Sequence, residues 1–182
     1  MKSWVFARER VFEALAQHPD WALLSINDAT SDEPNFGAHG GPIQRVYFDD
    51  LTHASPAAMR TGFVPPSCQD AEQIAGFLKQ LSRQPPPGLL VHCMAGISRS
   101  TASVCAAGAV FEGPERALAV LDEAVEETER VGLRHGQEAL PNPRLVALLD
   151  EALGFERRLL TPVIERFWPL RTLEEIVADA QR

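Results

Sequence analysis

No stretch of this sequence is apolar enough to cross a bilayer: the least polar run, Thr101 to Phe111, falls well short of the ~20 residues a spanning helix needs. The first residues, Met-Lys-Ser-Trp-Val-Phe-Ala-Arg-Glu-Arg, bring charges in too early to leave the hydrophobic region of a signal peptide, so export is not expected. Cysteine is scarce. Cys68, Cys93 and Cys105 are an odd number with no Cys-x-x-Cys pairing, which argues against a disulfide framework or a thiolate metal site. A reducing, cytoplasmic location is the simplest expectation. Basic charge is also in short supply. With 17 Lys and Arg against 25 Asp and Glu, the formal charge is −8. A general affinity for nucleic acid, which rests on clustered cations neutralising backbone phosphates, is therefore disfavoured. Any anion site in this chain must be local. Internal repeats and low-complexity tracts are absent too.

The 182 residues suit one domain, and a hydrophobic fraction of 45 % with 23 % charged residues is that of a globular protein. Val5, Phe6, Phe12 and Leu15, with charges between them, suggest a helix over residues 5–17. Trp21 to Ile26 reads as a buried strand, and the Asp-, Asn-, Gly- and Pro-rich stretch from Asn27 to Pro42 as a loop. A second strand, Ile43 to Phe48, ends in two acids, Asp49 and Asp50, before a long loop from Thr52 to Pro66. Ser67 is placed to cap a helix from Cys68 to Leu81, which Pro85, Pro86, Pro87 and Gly88 close. Leu89 to Val91 is short and continuously apolar, as a strand buried on both faces of a parallel sheet would be. Further helices are expected over Ser100 to Phe111, Pro114 to Glu129, and from the Asn142 cap and Pro143 to about Leu153. Two shorter helical patterns follow. Strands alternating with helices predict a single α/β domain, 1–182, with a central, mainly parallel sheet flanked by helices; residues 20–155 are its core and 156–182 a C-terminal helical extension.

The chemistry concentrates in Val91-His92-Cys93-Met94-Ala95-Gly96-Ile97-Ser98-Arg99-Ser100-Thr101. Here Cys and Arg, with five residues between them, lie between an expected strand and an expected helix. Such a junction aims consecutive backbone N–H groups and a helix N-terminus at one spot, a ready phosphate site made by the residues from Met94 to Arg99. Gly96 permits a sharp turn or close backbone approach. A thiol at that spot sits in a positive field that favours the thiolate. Arg99 follows once the loop has circled back, and its planar fork can hold two phosphate oxygens where a Lys could not.

These residues resemble the His-Cys-x5-Arg-Ser/Thr signature of the protein tyrosine phosphatase superfamily, particularly its dual-specificity branch and small bacterial-type relatives. The resemblance implies a phosphatase-like fold with its phosphate loop between strand and helix. It also implies hydrolysis of a phosphoric monoester without metal or cofactor, Cys93 forming a phosphocysteine that water then cleaves. By the same resemblance Ser100 hydrogen-bonds the sulfur and helps it leave, His92 orders the loop and supports the thiolate, and an aspartate protonates the leaving group. Asp50 is the better candidate, because Val46-Tyr47-Phe48-Asp49-Asp50 matches the family's strand end at its second aspartate. Its bland alternative is a solvated strand-end carboxylate. His53 and Arg60 are possible substrate contacts or simply solvated loop residues; Cys105 reads as core, and Cys68 as a loop thiol rather than a redox partner of Cys93. The substrate is expected to be a phosphotyrosine or phosphoserine/threonine protein, or a small or lipid phosphate ester. A noncatalytic phosphate-binding module and a rhodanese-like sulfurtransferase are the competing classes. Met94, Ala95, Ile97 and Ser98 bring no lysine to the loop, which weighs against a highly anionic inositide.

Overall fold

The runs at residues 22–27 and 88–93 are buried throughout, Ser25, Asn27 and His92 included, and they occupy the middle of one parallel sheet. The structure, a computed structural model, describes residues 1–53, 55–134 and 136–182; Ala54, within the expected 52–66 loop, and His135 lie outside the described residues. Strands β1 (Lys2–Ala7), β2 (Ala22–Asn27), β3 (Ile43–Tyr47) and β4 (Gly88–Cys93) run in the order β1-β4-β2-β3, with every neighbouring pair parallel. Eight α-helices flank the sheet among the described residues: α1 (Val11–Gln17), α2 (Pro56–Arg60), α3 (Cys68–Arg83), α4 (Arg99–Glu112), α5 (Ala117–Arg130), α6 (Pro143–Leu153), α7 (Leu160–Phe167) and α8 (Leu173–Ala180).

Successive strand side chains point to opposite faces, and that alternation divides the core in two. Val5, Leu24, Ile26, Leu89 and Val91 join the larger cluster, which α3 to α8 complete. Trp4, Phe6, Leu23 and Leu90 face the other way, onto α1 and Phe36. Small residues let α4 lie close to its neighbours: a Cβ on Gly108 would stand 2.8 Å from Cβ of Val120 in α5. Ser67 caps α3 through a reciprocal box with Asp70, and Asn142 caps α6 by accepting from the Leu145 N–H. Leu160, Val163, Ile164, Ile176 and Ala180 carry the C-terminal helices α7 and α8 into the larger cluster.

Two expectations need correction. The helix expected over 5–17 starts only at Val11; residues 2–7 form β1, because pairing with β4 outweighs the weak helical spacing of Val5, Phe6 and Phe12. The expected Thr52–Pro66 loop contains α2, started by the Ser55 side chain accepting from Ala58 N and by Pro56 at its first position. No helix among the described residues is long and apolar enough to cross a membrane.

Candidate active site

Central strand β4 ends at Cys93, and α4 begins at Arg99. The loop between them is shaped by what holds its carbonyls. Arg8 N donates to Met94 O at 3.2 Å, the Arg134 guanidinium donates to Gly96 O, and Leu140 N donates to Ile97 O at 3.0 Å. In a trans peptide the carbonyl and the following N–H point in opposite directions. Holding these three carbonyls outward therefore turns the N–H groups of Ala95, Ile97 and Ser98 to the other side, where they can converge on an anion. Gly96, at φ +72, makes the bend; a Cβ there would stand 2.5 Å from the backbone carbon of Phe6, so the loop rests directly on the end of β1.

The sulfur of Cys93 lies 3.2 Å from Ser100 Oγ, and the residue is only 1 % exposed. Cys105 also lies in the core, but there burial pushes the thiol up to about 12, which keeps it protonated and inert. Cys68 is exposed at the start of α3.

His92 is buried between Phe6, which stacks on it, and Phe36, which meets it edge-on. Burial lowers its pKa to about 4; the Cys93 backbone opposes this, while the charges of Arg8 and Arg99 add to it. Both ring nitrogens lack a partner at ordinary hydrogen-bond geometry, so the Cys93 backbone interaction is a weak one. His92 is thus a neutral ring that fills space behind the loop. Its folded pKa lies below the ordinary 6.5, so between pH 6.5 and about 4 the unfolded chain takes up a proton that the folded one does not. Stability is therefore expected to fall as pH drops through that window, by about 3 kcal/mol from His92 alone. Urea denaturation at pH 7 and pH 4.5 checks this: His92→Asn should flatten the pH dependence, and an unchanged slope would contradict it.

Arg99 is 3 % exposed, with most of its donors assigned. Nη1 donates to Phe48 O at 2.6 Å and more weakly to Asn27 O at 3.4 Å, while Nη2 pairs with Asp28 Oδ1 at 2.8 Å. Nε has no hydrogen-bond partner; Asp50 Oδ2 stands 3.9 Å from it. The protein thus fixes the outer end of the guanidinium, and the buried Nε is the donor left without a hydrogen bond.

The two acids after β3 separate cleanly. Asp49 takes a short bond from Val64 N at 2.7 Å and a long one from Ala29 N at 3.4 Å, so its carboxylate is committed to tying two loops together. Asp50 Oδ1 accepts from Ser98 Oγ and from Asn142 Nδ2, both at 2.7 Å. Its Oδ2 remains on the Arg99 side, and the side chain is 37 % exposed. A cleft of about 350 Å³ is lined by Asp28, Asp49, Asp50, Leu51, Phe63, Met94, Ala95 and Arg99.

Of the anticipated site residues, Asp50, Met94, Ala95 and Arg99 line this cleft, Ser98 is bonded to Asp50, Gly96 makes the bend of the loop, and Cys93, Ser100 and His92 are buried at its base. Ile97 contributes its backbone, while its side chain lines a separate groove beside α5 and α7. His53 and Arg60 are exposed and do not line the cleft. Sequence reasoning missed Asp28 and Arg134. Neither belongs to a motif; the one available hint was the position of Asp28 directly after a strand that ends in Asn27. Burial, the first cause, lowers the pKa of Arg134, while the charges of Glu129 and Cys93 act against it; its guanidinium sits under the loop on Gly96 O. Asn142 was anticipated only as a helix cap, yet it also holds Asp50.

No family model and no curated protein matches this chain. Solved structures do. Human DUSP28 is 18 % identical, with a TM-score of 0.52 over 85 % of this chain and 93 % of that one. DUSP15 is 21 % identical, with a TM-score of 0.52 over 91 % and 92 % of the two chains, and PTPMT1 is 13 % identical, with a TM-score of 0.53 over 91 % and 96 %. At these identities the likeness is one of architecture: the chain has the α/β fold of the cysteine-based phosphatases of the dual-specificity type.

Proposed function

We propose that this protein is a cysteine-dependent phosphoric monoester hydrolase, acting on phosphotyrosine ahead of phosphoserine or phosphothreonine in proteins of the cytoplasm. The observation that carries the reading is the Cys93 sulfur, 3.2 Å from Ser100 Oγ, in a loop whose carbonyls are held outward and whose Arg99 has an unclaimed Nε. In the first step the Cys93 thiolate attacks phosphorus; the S–P bond forms, the ester P–O bond breaks, and protonated Asp50 gives its proton to the departing oxygen. The loop N–H groups and the Nε edge of Arg99 take up the charge that spreads over the phosphoryl oxygens. In the second step Asp50 removes a proton from water, the water oxygen attacks phosphorus, and the S–P bond breaks as Ser100 donates to the sulfur.

Oδ1 of Asp50 already accepts two hydrogen bonds, so Oδ2 is the oxygen that carries the proton. Three carboxylates in the cleft wall disfavour a substrate with several phosphates, although PTPMT1 has been solved with PI(5)P bound. The test is phosphate release, with chelator present, from an aryl phosphate, phosphotyrosine and phosphoserine/threonine peptides, inositides and small esters. Turnover is expected on the aryl phosphate and fastest on phosphotyrosine peptides. A divalent-metal requirement, or oxyanion binding without any turnover, would replace this reading with metal-dependent hydrolysis or a binding module.

A further inference from the structure

Beside the cleft, on the far side of Met94, lies a second pocket of about 470 Å³ lined by Arg8, Glu9, Val11, Phe12, Pro34, His92 and Met94. Met94 belongs to both linings and so forms the wall between them. Phe12 is 61 % exposed and Met94 47 %, although neither is needed to close the core. Phe12 leans on Phe36 at 6.3 Å between ring centroids, and Arg45 lies over the Phe36 ring at 4.9 Å, so the exposed ring has a fixed backing. Across the cleft stands Phe63, also half exposed. Exposed apolar side chains thus line both hollows, Phe63 and Met94 in the cleft and Met94 and Phe12 in the pocket beside it. Exposed apolar side chains grouped beside such a cleft are suited to binding something apolar.

Resting on the phosphatase reading above, we propose that the pocket behind Met94 is a recognition subsite for an apolar side chain of a protein substrate, two residues from the phosphorylated one. Charge selects this occupant. The pocket's two charged residues, Arg8 and Glu9, are of opposite sign, so neither an acidic nor a basic side chain is favoured there. The neighbouring cleft carries Asp28, Asp49 and Asp50 and the chain has a net charge of −8, which repels an anionic membrane surface. Spacing selects the position. In an extended peptide, side chains two residues apart share a face at roughly 7 Å, so a residue two positions from the one in the cleft is the nearest that faces the adjoining pocket across Met94.

The test compares kcat/KM on phosphotyrosine peptides carrying Leu, Phe, Ser, Lys or Glu two residues to either side, for the parent protein, Phe12→Ser and Phe12→Leu. The parent should prefer Leu or Phe at one of these positions by roughly ten-fold or more, the scale at which an apolar pocket discriminates. Phe12→Ser should lose that preference while para-nitrophenyl phosphate turnover stays at the parent level, and Phe12→Leu should keep it. A flat peptide series would overturn the subsite. So would an equal loss on para-nitrophenyl phosphate, or a higher kcat/KM for a lipid monophosphate in neutral vesicles that depends on Phe12. Peptide binding to Cys93→Ser protein by fluorescence anisotropy separates the two readings. If the parent hydrolyses nothing, an apolar preference in binding retains the subsite and rejects only the hydrolase; no preference rejects the subsite.

Discussion

Cys93→Ser protein is expected to release no measurable phosphate, a loss on the order of 10⁵- to 10⁶-fold such as follows removal of a covalent nucleophile, while it still folds and still binds vanadate. The serine hydroxyl takes up little more room than the thiol it replaces, and the features that hold an oxyanion lie elsewhere. They are the N–H groups of Ala95, Ile97 and Ser98, turned inward because the carbonyls of Met94, Gly96 and Ile97 are held outward, and the Nε of Arg99. What disappears is the nucleophile. An alcohol at this position has no adjacent base to deprotonate it, because His92 is buried, neutral and without a hydrogen bond to the side chain of residue 93. Phosphate release by colorimetric assay and vanadate binding by calorimetry make the measurement. Residual turnover within ten-fold of the parent would place the chemistry on another group, and loss of vanadate binding would mean that the sulfur, not the loop, holds the anion.

Replacing the acid should have an effect that depends on the leaving group. A general acid contributes typically ~100- to 10,000-fold, and it matters most when the departing oxygen is basic. Asp50→Asn is therefore expected to slow phosphotyrosine or alkyl phosphate hydrolysis by about two to three orders of magnitude, and to slow an ester of an acidic phenol far less. An amide at position 50 can still accept from Ser98 Oγ and Asn142 Nδ2, so the loop should keep its place while the transferable proton is lost. Asp49→Asn should show a small and even effect across the series, since its carboxylate is occupied by Val64 N and Ala29 N. Turnover of both variants on aryl phosphates of graded leaving-group pKa gives the slopes to compare. A steep slope for Asp49→Asn would exchange the roles of the two acids, and shallow slopes for both would move the acid to another residue.

How much of this was legible beforehand follows from which interactions are local. The strand-loop-helix around Cys93 could be read because its parts are contiguous: an apolar run, a glycine at the bend, an arginine six residues after the cysteine, then small residues in α4. The caps Ser67 and Asn142 are local for the same reason. Strand β1 was not legible. Trp4, Val5 and Phe6 are all buried, so there is no polar alternation to mark a strand, and its partner β4 begins more than 80 residues later. Arg134 and Asp28 act on Gly96 and Arg99 from distant segments, and a lone charged residue in a loop carries no sign of such a partner.

Asn142 has a consequence for motion. Its amide nitrogen holds Asp50 and the Leu51 carbonyl, while its amide oxygen caps the first turn of α6. A side-chain amide is planar, so while both ends stay bonded one group holds Asp50 and the first turn of α6 in a fixed relation. Asp50 is thereby tied to a helix that packs on α3, α4, α7 and α8. On the phosphatase reading proposed above, Asp50 stands in place before any substrate arrives, with no loop needed to close over it. Such an arrangement exchanges the reach of a mobile lid for a barrier to opening shared with the core itself.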